Sequence, residues 1–94
     1  EGIVTINGGF KTFATDGPKP EIADPELAGA VYDRFGDEHG KIVLGEGNAA
    51  PELGAPISLI TPHCDPTVNL HDYLHCVRGD KLVDIWPIDA RGVL

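Results

Sequence analysis

Apolar and polar positions alternate along this chain in short stretches, and Gly or Pro interrupts nearly every one of them. The stretches are rich in Val, Ile, Thr and Tyr, so the pattern predicts short strands. Residues 3–7 (IVTIN) and 10–15 (FKTFAT) flank Gly8-Gly9, a pair that supplies the positive φ angles of a tight turn, and a hairpin is expected there. Residues 16–26 (DGPKPEIADPE) read as a Pro-rich surface loop. Two readings compete over 28–35. Asp24 as N-cap, Pro25 at the first helical position, and Leu27, Val31 and Phe35 four apart fit a short helix. The polar turn Gly36-Asp37-Glu38-His39-Gly40 followed by residues 41–44 (KIVL) fits a hairpin equally well. Residues 45–56 read as a loop and 57–61 (ISLIT) as a strand. Residues 73–77 and 81–86 bracket Arg78-Gly79-Asp80 as a second hairpin, with Leu82, Asp84 and Trp86 on one face and Val83 and Ile85 on the other. With no internal repeat, the expectation is a single mostly-β domain over residues 1–94, a small antiparallel β-barrel or sandwich.

Composition agrees with that size: 94 residues, 41% apolar and 23% charged, suffice for one globular domain with a modest core. The net charge of -8 is spread over both halves, which makes nucleic acid and anionic membrane poor partners. Every apolar run is too short for a spanning helix. A chain that opens on Glu1 and contains no Met is expected to be a mature form, an excised piece or a proteolytic remnant. Cys64 and Cys76 are too few for a disulfide-stapled secreted scaffold, so a reducing compartment, the cytoplasm, is expected.

The densest polar cluster is Thr61-Pro62-His63-Cys64-Asp65-Pro66-Thr67-Val68-Asn69. If the strand ending at Thr61 continues with extended geometry, His63 and Asp65 point to one side and Cys64 to the other. An imidazole and a carboxylate sharing one space suit a divalent cation such as zinc or manganese. Two protein donors leave positions for water or substrate, an open site of catalytic type. On spacing alone, a hydrogen-bonded surface pair is the simpler reading of His-x-Asp. His71, Tyr73 and His75 are expected on one strand face as polar cross-strand neighbours. Zinc binding by Cys64 with His63, or a Cys64–Cys76 bridge, ranks below an ordinary buried thiol. His39 reads as a solvated loop residue, with a site role as the alternative, and Lys11 as a surface charge. Gly8-Gly9 is no phosphate loop, since no helix follows it. There is no Ser-His-Asp pattern, no Walker sequence and no Cys-x-x-Cys.

The string Pro62-His63-Cys64-Asp65-Pro66-Thr67-Val68-Asn69, then Val77-Arg78, then Val83-Asp84-Ile85-Trp86-Pro87-Ile88-Asp89-Ala90-Arg91-Gly92, resembles the C-terminal domain of the D-threonine aldolase and D-serine dehydratase-like family. Asp37-Glu38-His39-Gly40 is similar to that family's Glu-Glu-His-Gly turn. Asn7-Gly8-Gly9-Phe10-Lys11 with Asp16-Gly17-Pro18 resembles its Asp-Ala-Gly-x-Lys region, from which Asn7 departs. The blocks occur in the family's order along nearly the whole chain.

The resemblance implies the second part of a fold-type III, alanine racemase-like enzyme. In such an enzyme an α/β barrel carries pyridoxal phosphate and a β domain closes over it; the barrel is expected upstream and is absent from this chain. It further implies His63 and Asp65 as ligands of a divalent metal, manganese or zinc. Because the dehydratase branch tends to have Cys at the second ligand position, Asp65 points to the aldolase branch and to the harder ion. The implied reaction is retro-aldol cleavage of a D-3-hydroxy amino acid to glycine and an aldehyde, with dehydration by the same architecture as the alternative. None of Lys11, Lys19, Lys41 and Lys81 is the candidate cofactor lysine, so the chain alone is expected to be inactive. The full enzyme is implied to be a homodimer. Two other readings stand beside this one: a non-catalytic metal-binding or assembly module, and a plain barrel whose His63 and Asp65 only bond to backbone.

Overall fold

A computed structural model of the chain describes residues 2–92. Its elements are β1 (Ile3–Ile6), β2 (Glu21–Ile22), a 3-10 turn (Pro25–Leu27), β3 (Val31–Arg34), β4 (Gly40–Val43), β5 (Leu59–Ile60), α1 (Cys64–Val68), β6 (Tyr73–Arg78) and β7 (Lys81–Pro87). The chain is mostly β and all described pairings are antiparallel, as the pattern predicts. The strands are shared among three small sheets: β1-β4-β3, β2-β5 and β6-β7.

The β3–β4 hairpin forms where the polar turn predicts it. Both readings of the region before it are partly realised. Leu27 N donates to Asp24 O and Ala28 N to Pro25 O, giving one helical turn. Gly29, at φ 87°, then redirects the chain into β3. Asp24 does not cap with its side chain; its Oδ2 accepts from Ser58 N at 2.8 Å and extends the contact between β2 and β5.

The hairpin expected around Gly8-Gly9 does not form. β1 pairs instead with β4, with Val4 opposite Ile42 and Ile6 opposite Gly40. Residues 10–15 make turns, and Phe13 folds inward from them as a core residue, 8% exposed. Gly9 serves close approach rather than a hairpin turn: a Cβ there would strike Gly36 O, His39 N at 2.6 Å and His39 O at 2.7 Å. The backbone of the loop after β1 lies directly against the β3–β4 turn, and only Gly allows it.

Alternation along the sheet sorts side chains onto two faces. Val4, Ile42 and Tyr32 stand in register on the inner face, and Tyr32 and Ile42 are the largest fully buried side chains. Phe13 meets Tyr32 edge-on, with ring centroids 5.6 Å apart. The Tyr32 hydroxyl donates to Gly8 O at 2.7 Å, so the buried phenol has its partner, and burial raises its pKa. Ile6, Ile22, Leu44, Ile57 and Leu59 close the core. On the outer face Ile3, Val43 and Val31 form an exposed apolar row.

The second hairpin appears as the sequence predicts, with a bulge between Cys76 and Val77 and Gly79 at φ 65° in its turn. It is exposed along its length apart from a half-buried Cys76. Among the described residues no helix is long and apolar enough to cross a membrane.

Candidate functional site

Three of the blocks singled out in the sequence meet at one end of the β1-β4-β3 sheet. The pairing of Ile6 with Gly40, and of Arg34 with Gly40, places the exit from β1 and the β3–β4 turn at that same end. The loop leaving β1 is zipped to the turn by Phe10 N to Gly36 O at 3.0 Å and Lys11 N to Asp37 O at 2.9 Å. Lys11 Nζ then reaches Glu38 Oε2 at 2.8 Å. That bond holds the Glu38 carboxyl below, and the Lys11 ammonium above, its ordinary pKa. Lys11 is thus an exposed charge, in a loop rather than the hairpin expected, and His39 is exposed in its turn.

The third block docks on the far side of the same loop. Thr67, 5% exposed, accepts from Ala14 N at 3.0 Å and donates to His63 O at 2.8 Å. His71 Nε2 lies 2.9 Å from Thr12 O. Arg34 Nη2 donates to Ala14 O at 2.9 Å and fixes the loop from the sheet side. His71 therefore staples this loop instead of sharing a strand face with Tyr73 and His75, which alone belong to β6.

The extended path assumed for His63, Cys64 and Asp65 stops at His63. His63 has φ -115° and ψ 107°, and α1 begins at Cys64 with Asp65 in its first turn. Pro66 suits a first helical turn and Asp65 suits its positive end, so the segment coils where strand alternation was expected to continue. His63 makes no side-chain cap; its Nδ1 lies 2.7 Å from Asp16 Oδ2. Cys64 is exposed and Cys76 half-buried, and both are free. The expectation of a buried thiol fails at Cys64 because a one-turn surface helix presents its opening residue to solvent.

Among the described residues, no three His, Cys, Asp or Glu side chains gather in a group able to hold a metal ion. His63 and Asp65 supply at most two donors. They suit an open divalent site in donor chemistry: Asp16 occupies Nδ1 and leaves Nε2 available, and Asp65 is exposed with no side-chain hydrogen bond among the described residues. The partner Asp16 was not visible from spacing, since 47 residues separate it from His63.

A family model described as "Putative serine dehydratase domain" matches residues 1–77. D-threonine aldolase of an Arthrobacter species is 43% identical over 90 residues, 95% of this chain and 23% of that protein. The 3-hydroxy-D-aspartate aldolase of Paracoccus denitrificans is 30% identical over 90 residues, 96% of this chain and 22% of its own length. The crystal structure of D-threonine aldolase from Filomicrobium marinum superposes with a TM-score of 0.86 at 37% identity, covering 96% of this chain and 24% of that one. The chain thus spans about a quarter of the length of these relatives. It belongs to the D-threonine aldolase and D-serine dehydratase-like family, as a mostly-β domain of the fold-type III architecture.

Proposed function

We propose that this chain is the metal-bearing C-terminal β domain of a pyridoxal-phosphate-dependent lyase that cleaves D-3-hydroxy amino acids to glycine and an aldehyde. The observation that carries the reading is the near-complete superposition, at 37% identity, on a D-threonine aldolase. His63 offers Nε2, and Asp65 offers a carboxylate from the first turn of α1. Together they would hold a divalent ion, manganese or zinc, which would supply Lewis acidity toward the substrate β-hydroxyl, while pyridoxal phosphate would supply the electron sink for Cα.

The chain's own residues do the positioning. Thr67 ties the backbone of His63 to Ala14, and His71 ties the segment after α1 to Thr12, so the donors sit on a pinned loop pair. Lys11 and Lys19 are engaged by Glu38 and Asp33, and Lys41 lies 5.9 Å above the Phe35 ring. The cofactor lysine is read as lying in the barrel, as the family resemblance implies. The β6–β7 ribbon supports the barrel as partner: Leu74, Val77, Leu82, Ile85 and Trp86 are 42–61% exposed on a two-stranded ribbon, a surface that needs cover. The full enzyme is read as a homodimer. Two free cysteines, one of them exposed, suit the cytoplasm.

The native polypeptide carrying this domain, given pyridoxal phosphate, Mn2+ and D-threonine, is expected to release glycine and acetaldehyde in equal amounts. The family model, a serine dehydratase domain, favours elimination as the second reading. Formation of 2-oxobutanoate and ammonia would select it, and the absence of both product pairs would overturn the lyase proposal.

A further inference from the structure

We infer that Asp16 is the positioning residue of the candidate metal site, holding His63 in the tautomer that presents Nε2 to the ion. This rests on the reading of His63 as a ligand. A neutral imidazole carries one proton, and the carboxylate 2.7 Å from Nδ1 only accepts, so the proton is assigned to Nδ1 and the Nε2 lone pair is left outward. Ligating histidines commonly donate their second ring N–H to a carboxylate or carbonyl in this way, which fixes the ring and raises its basicity as a ligand. Both sides of the pair are pinned. The Thr67 hydroxyl bridges His63 O and Ala14 N, two residues before Asp16, while Arg34 holds Ala14 O and His71 lies against Thr12 O. Folding gains little from the contact itself, because the two side chains are 50% and 52% exposed and solvent screens a pair of that kind. What the contact fixes is the direction of the imidazole.

The test is Mn2+ affinity without turnover, read from the paramagnetic resonance signal of free Mn2+ over the native protein carrying this domain. His63→Ala should abolish binding. Asp16→Ala should weaken it about 10- to 100-fold. Asp16→Asn should fall between Asp16→Ala and wild type, since its carboxamide oxygen still accepts from Nδ1 but carries no charge, and its melting temperature should match wild type. If both Asp16 variants bind Mn2+ as wild type does while His63→Ala does not, the positioning role is overturned and the ligand reading stands. If His63→Ala binds as wild type does, His63 is no ligand and both fall.

Discussion

His63→Ala in the native protein is expected to remove the divalent ion and to lower lyase turnover by at least about 100-fold. The size follows from the proposed donor count: one imidazole and one carboxylate would be the protein's share of the site, and Asp65 alone would leave a single exposed carboxylate. The loss should not be a folding defect. The His63 ring makes its side-chain contact with Asp16 at the surface, a pair contributing about 1 kcal/mol or less. The buried anchor of the segment, Thr67, bonds to the carbonyl of residue 63 and survives the substitution. Cys64→Ser, at an exposed thiol between the two donors, should leave metal content and turnover near wild type. Metal analysis and turnover measured on the same samples check this. Normal metal content and activity in His63→Ala would refute the assignment.

Gly9→Ala should destabilise the domain by about 3–5 kcal/mol, through steric insertion and the loss of neighbouring hydrogen bonds. The new Cβ would meet Gly36 O, His39 N and His39 O, all backbone atoms that cannot swing aside as a side chain would. The loop after β1 must then part from the β3–β4 turn, breaking Phe10 N to Gly36 O and Lys11 N to Asp37 O. A melting temperature lower by about 12 °C or more is expected for a domain of this size. Gly17→Ala is the control: a Cβ there meets nothing within 4 Å, and Gly17 is not among the positive-φ glycines. Equal melting temperatures for Gly9→Ala and Gly17→Ala would contradict the close-approach role.

The two hairpins β3–β4 and β6–β7 were legible because each is local: a polar or Gly-containing turn lies between alternating stretches. The partner of β1 was not. Period-two alternation says that residues 3–6 form a strand but is silent about which strand they meet, and β4 lies more than thirty residues away. Gly8-Gly9 misled for a physical reason, since tight turns and close backbone contacts both call for a residue without Cβ. Phe13 was legible as apolar but not as a core residue borne by a loop. At the site, the donor chemistry of His63 and Asp65 and the family resemblance around them are legible in the sequence. The bend into α1 is signalled only by Pro66 and Asp65, which suit a first helical turn, while the apolar strand before them favours continued extension. Asp16 stood in the sequence inside Asp16-Gly17-Pro18, and only the docking of the two loops brings it to His63.

The most direct measurement of the central claim is anomalous diffraction at the manganese absorption edge from crystals of the Mn2+-loaded native protein. The expected map has one peak within about 2.2 Å of His63 Nε2 and of an Asp65 carboxylate oxygen, with solvent or substrate oxygens completing the sphere. A peak on other residues, or full occupancy of His63 and Asp65 by protein hydrogen bonds with no peak, would contradict it.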